Sequence, residues 1–152
     1  MPLAGVLATD ELAGAFRPGD HFTTFGPNNQ LGLRAANTVL DILDEERLPD
    51  RAAVLGERML SGLRDLQRRH EPIGDVRGRG LMIGVEIVRD RETKEPDPDR
   101  CRTIRETLAG QGILMAVTGV HNAVLRITPP LVIGDDDIDR ALETLDAALQ
   151  ER

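Results

Sequence analysis

Gly74-Asp75-Val76-Arg77-Gly78-Arg79-Gly80-Leu81-Met82-Ile83-Gly84-Val85-Glu86-Ile87 decides how the rest of the chain is read. Leu81, Ile83, Val85 and Ile87 alternate with Met82, Gly84, Glu86 and Val88, and a period of two puts each set on its own face of a strand. The glycines invite a phosphate-loop reading. Their spacing, Gly78-x-Gly80-x-x-x-Gly84, fits neither the dinucleotide fingerprint nor the Walker pattern, and no helix follows. Glycine in or beside a strand marks a bulge or a close backbone approach. The stretch therefore reads as structural, a core strand with one apolar face.

Upstream of it, Pro49-Asp50 opens a helix that carries Ala52, Leu55, Met59, Leu63 and Leu66 on one stripe, stopped by Pro72 and Gly74. Before that, Ala36, Val39, Leu40 and Leu43 give a second apolar face to a helix running from Leu31 to near Arg47. Downstream, residues 88–95 read as a polar connector. Pro98 introduces a third helix, with Cys101, Ile104 and Leu108 on a shared face, ended by Gly110 and Gly112. Residues 113–117 and 123–127 predict two more strands. Gly134-Asp135-Asp136-Asp137 caps a last helix with negative charge at its positive dipole end, and Ile138, Leu142, Leu145 and Leu149 form its stripe. The sum is a set of helices packed on a small β-sheet, class α/β or α+β.

The first thirty residues do not begin like an independent domain. Residues 3–8 form a short apolar, strand-like run, and Thr9-Asp10-Glu11-Leu12 places a cap and acids ahead of a helical turn. Arg17-Pro18-Gly19-Asp20 breaks that turn, and a Gly-Pro-Asn-Asn loop follows Thr23 and Thr24.

Composition narrows the function classes. A length of 152 residues suits one modest domain or a piece of something larger. With three phenylalanines and neither tyrosine nor tryptophan, the core must be aliphatic. A net charge of -7 argues against a nucleic-acid partner, because phosphate binding calls for a basic patch. No apolar run approaches the roughly 20 residues that span a bilayer, and no secretory leader is recognisable. Cys101 is the sole cysteine, so a cytoplasmic, reducing setting is expected.

A few residues could carry chemistry. Thr23 and Thr24 precede a turn into a helix, where hydroxyls either hold a phosphate or simply cap. Arg126 stands between Leu125 and Ile127 in an apolar strand, and a buried guanidinium there needs a carboxylate. That carboxylate is either an internal acid such as Glu86 or a ligand, with Pro129-Pro130 stiffening the backbone. His21, His70 and His121 lie far apart beside turn residues and read as free imidazoles without metal-ligand spacing. Ser61, the sole serine, has no nucleophile elbow, and Cys101 on an apolar helix face reads as inert. Lys94, the only lysine, is hemmed by Glu92, Glu95 and Asp97 and reads as a solvated surface residue.

Three stretches in order resemble class III pyridoxal-phosphate aminotransferases: Phe22-Thr23-Thr24-Phe25-Gly26, the glycine-punctuated strand from Gly74, and Val124-Leu125-Arg126-Ile127-Thr128-Pro129-Pro130-Leu131. The resemblance covers essentially the whole chain and is closest to ω-amino-acid and alanine–glyoxylate-type members. It implies the end of a large cofactor domain over residues 1–30, with an interface loop, and a C-terminal small domain over residues 31–152. Such enzymes transfer an amino group from an amino acid or ω-amine to a 2-oxo acid and work as homodimers. By resemblance Thr24, with Thr23 beside it, contacts the cofactor phosphate of the neighbouring subunit. The run after it, Gly26-Pro27-Asn28-Asn29-Gln30, departs from the family's Gly-Gly-Asn-Pro by one extra residue. The arginine matching Arg126 lies in the active site, near a substrate carboxylate or a gating glutamate of the large domain. The family's Schiff-base lysine precedes a Gly-Gly-x-Pro run whose end Met1-Pro2-Leu3 matches. The expectation is a chain inactive alone. Its rival is a non-catalytic small domain that complements a lysine-bearing chain.

Overall fold

The structure, a computed structural model, describes residues 3–17, 19–20 and 29–150. The chain divides into two compact units, Met1–Arg47 and Leu48–Arg152.

In the first unit, helix α1 (Asp10–Ala13) is capped by the Thr9 hydroxyl, which accepts from the Leu12 amide. Helix α2 (Gln30–Glu45) starts at Asn29, whose side-chain oxygen accepts from the Gly32 amide at 2.9 Å. The apolar stripe expected of α2 is present, but Val39 and Leu40 are exposed and Gly32 is the helix's sole buried residue. Residues 3–8 are not a strand, contrary to expectation. An extended apolar run becomes a strand only against a ladder partner, and Val6 and Leu7 stand fully in solvent.

The second unit holds the core. Helix α3 (Leu48–Arg69) has Pro49 in its first turn, where the missing amide costs nothing, an acid at Asp50, and Arg68 and Arg69 at the negative dipole end. Strands β1 (Ile73–Arg79) and β2 (Met82–Asp90) form an antiparallel hairpin whose turn passes through Gly80 at φ 54°, a left-handed conformation that favours glycine. Strand β3 (Glu95–Pro96) pairs with the far end of β2. Helix α4 (Pro98–Gly110) is capped by Asp97, which accepts from the Arg100 amide. Strands β4 (Ala116–Thr118) and β5 (Val124–Ile127) are antiparallel, and helix α5 (Asp135–Gln150) opens on three aspartates. The sheet order is β1-β2-β5-β4, with β3 added to β2.

One sheet face is apolar. Ile73, Ile83, Val85, Ile87 and Leu125 are buried and meet Met59 and Leu63 of α3, Ile104 and Leu108 of α4, and Ile138 and Leu145 of α5. Helix α3 lies over β1 and β2, α4 over β2, β4 and β5, and α5 packs on both helices. Gly56 of α3 meets the hairpin turn so closely that a Cβ there would sit 2.3 Å from the Gly80 carbonyl carbon. Helices packed on a small sheet are the architecture expected from the sequence, and the strands of that sheet are antiparallel.

Three local differences have physical causes. The stretch from Gly74 to Ile87, expected as one core strand, is two: β1 and β2 pair across the turn at Gly80, and that pairing supplies what the propensity of Gly74, Asp75 and Gly78 does not. The expected connector at residues 88–95 is in part the end of β2 and the start of β3. The strand expected over residues 113–117 is instead Ala116–Thr118; run back in the same register it would set Ile113 opposite Pro129, which has no amide to donate, so the ladder cannot cover the whole expected stretch.

Candidate functional site

The other face of the sheet carries polar side chains in register. Arg77 of β1, Gly84 of β2, Arg126 of β5 and Ala116 of β4 stand in one row. Asp75, Glu86, Val124 and Thr118 form the next. Arg77 donates from Nη1 to Glu86 Oε2 at 2.7 Å and to Asp75 Oδ2 at 2.5 Å. These bonds, to Asp75 first and then Glu86, hold its guanidinium more firmly protonated than usual.

Arg126 is exposed, not buried as the flanking leucine and isoleucine suggested, because alternation turns it away from the core that takes Leu125 and Ile127. The internal pairing with Glu86 that the sequence left open is not made. Glu86 belongs to Arg77, and Arg126 has no ion pair or side-chain hydrogen bond among the described residues.

Arg126 also lines a cleft of about 560 Å³ at the end of β5. Its walls are mostly apolar, with Ile113, Leu114, Met115, Pro129, Pro130 and Ile133. Asp137 and Arg140 add charge, and Arg140 is engaged, donating to the Gln111 carbonyl at 2.7 Å. An uncommitted guanidinium beside apolar walls suits a ligand with a carboxylate and an aliphatic body.

The other residues singled out from the sequence separate. Thr23, Thr24 and His21 lie outside the described residues. His70 is not a free imidazole: its Nε2 meets Asp146 Oδ1, and Arg69 reaches the same carboxylate at 2.8 Å. Hydrogen bonds from Arg69 and then His70 hold the Asp146 carboxyl below its ordinary range. Cys101 is fully buried and its thiol is pushed up to about 11, chiefly by burial, which removes the thiolate that reactivity requires. Lys94 is exposed in the turn between β2 and β3 and is not part of the cleft wall. The pairing of Arg77 with Glu86 is not marked by the residues alone, though a hairpin turn placed at Gly80 sets Arg77 opposite Gly84 and Asp75 opposite Glu86 by counting outward; Arg126 joins them only through the separate register of β2 with β5.

A family model described as aminotransferase class-III matches residues 1–149. The chain belongs to the class III aminotransferase family. Among curated proteins, it is 39% identical over 150 residues to "Alanine--glyoxylate aminotransferase 2 homolog 2, mitochondrial" of Arabidopsis thaliana, a match covering 99% of this chain and 31% of that protein. It is 43% identical to the taurine--pyruvate aminotransferase of Rhodobacter capsulatus, over 84% of this chain and 29% of the relative. Its fold is similar to the crystal structure of adenosylmethionine-8-amino-7-oxononanoate aminotransferase from Methanocaldococcus jannaschii, with a TM-score of 0.75 and 34% identity over 86% of this chain and 30% of that one. An amine transaminase from an uncultivated Pseudomonas species, in its PLP-bound internal aldimine form, aligns with a TM-score of 0.70 and 35% identity over 76% of this chain and 26% of its own. The aminotransferase segment thus spans about a third of the length of the relatives it matches.

Family membership makes pyridoxal phosphate the cofactor of the full-length enzyme. The described residues of this chain do not fit that group by themselves. A covalent hold on its aldehyde needs a lysine, and the single lysine points to solvent from a turn. Among the described residues no helix is long and apolar enough to cross a membrane, and no cluster of His, Cys, Asp and Glu could hold a metal ion.

Proposed function

We propose that this chain is the C-terminal part of a pyridoxal-phosphate-dependent class III aminotransferase that moves an amino group from an amino acid or ω-amine to a 2-oxo acid. Residues 1–30 are then the remnant of the large cofactor domain and residues 31–152 the small domain. The observation that carries this reading is Arg126, an exposed guanidinium without a partner among the described residues, beside a mostly apolar cleft, within a chain matched to the family over residues 1–149. Its role is to bind and orient a carboxylate, for which its planar fork is suited. Thr24, with Thr23, contacts the cofactor phosphate across a homodimer interface. The chain supplies no Schiff-base nucleophile and is inactive alone.

The position of Lys94 favours a second reading, in which the chain is a non-catalytic module completing a separate, lysine-bearing chain. Transfer of ¹⁵N from a labelled ω-amine to pyruvate tests both. The chain alone should give no labelled alanine. A mixture with a lysine-bearing large domain should give it, and the signal should fall with Arg126→Met. Labelled alanine from the chain alone would sink both readings.

A further inference from the structure

Two guanidinium groups stand on either side of Gly84: Arg77 and Arg126 are both directly opposite it in register. Neighbouring strands are about 4.8 Å apart, so the two arginine backbones are about 10 Å apart with no side chain between them. Glu86, two residues along β2 on the same face, is diagonal to both, and a diagonal neighbour is within reach of long side chains. By register Glu86 could serve either arginine. It is held by Arg77, which Asp75 fixes in turn. A carboxylate tethered this close competes with any incoming one at high effective concentration, so where Glu86 sits decides whether Arg126 is open.

We propose that Arg77 is a positioning residue for Arg126: by holding Glu86 on the β1 side of the sheet, it keeps the Arg126 guanidinium free for an incoming carboxylate. The inference rests on the reading of Arg126 given above. Without Arg77, Glu86 swings to Arg126 and neutralises it from inside.

The test is the rate at which phenylglyoxal, a reagent for uncommitted guanidinium groups, modifies Arg126 in the full chain, read by peptide mass spectrometry. Arg77→Met should slow modification of Arg126 about 2- to 5-fold, the range an exposed ion pair supports. Arg77→Met/Glu86→Gln should restore the parental rate, which loss of sheet structure would not do. Continued shielding of Cys101 from thiol reagents reports that the fold is intact. An unchanged rate in Arg77→Met, or a double variant that stays slow, would overturn the proposal. Excess propionate should protect Arg126 in the parent chain and protect it less in Arg77→Met. No protection of the parent would overturn the carboxylate reading of Arg126, a failure separate from that of the Arg77 effect.

Discussion

Helices α2 and α3 carry the same kind of amphipathic stripe and meet opposite fates. In α3, Leu55, Met59, Leu63 and Leu66 are buried against the sheet and its neighbours. In α2, Val39 and Leu40 stay in solvent. The pattern of apolar residues specifies a helix and which face wants cover; it does not supply the cover. Burial comes from a facing surface, and the second unit has one built from its own strands. The first unit shows its apolar residues uncovered along much of its length, Leu12 and Phe16 as well as α2.

Limited proteolysis should show this contrast most strongly. Cleavage is expected within the first 47 residues while the second unit persists, because local opening is easiest where little apolar surface is buried. Equal rates of cutting in both units, followed by mass spectrometry, would erase the distinction. The next largest effect is in the stripes. Leu63→Ala removes a core side chain and should cost about 2–5 kcal/mol in chemical denaturation, whereas Leu40→Ala should stay within about 0.5 kcal/mol. Gly56→Ala should cost about 1–3 kcal/mol by forcing the α3 backbone from the hairpin turn. A midpoint equal to the parent's would mean that the approach of Gly56 to Gly80 is looser than 2.3 Å from a Cβ at Gly56.

The smallest effect is electrostatic. Asp146 ties Arg69 and His70 at the end of α3 to α5, and its carboxyl is depressed from an ordinary 3.8. A depressed acid stabilises the fold above its unfolded value, and the contribution fades as pH falls through the lower folded value. Asp146→Asn should therefore cost about 0.5 kcal/mol at neutral pH, discounted for solvent screening, and progressively less below about pH 4. Thermal unfolding of both proteins from about pH 2 to about pH 7 should show the two curves converging in acid.

Much of the second unit was legible because periodicity and burial coincide there. Cys101, Ile104 and Leu108, and likewise Ile138, Leu145 and Leu149, fall on buried faces as spacing implied. What escaped was pairing. β1 has polar and glycine residues on a solvent-facing edge, so nothing in its own composition marks it. Residues 3–8 have the composition and lack the partner. Arg126 was found from its apolar flanks, but those flanks argued for burial. Its openness depends on Arg77 and Glu86, which reach it only through the register of three strands.

We propose that this chain of the class III aminotransferase family presents a carboxylate-binding arginine, Arg126, and no reactive lysine. Incubation with pyridoxal phosphate, borohydride reduction and peptide mapping test it directly. No saturable, stoichiometric pyridoxyl adduct is expected on the chain, with Lys94 labelled only in the manner of a free surface amine. A stoichiometric adduct at Lys94, formed at low cofactor concentration, would contradict it.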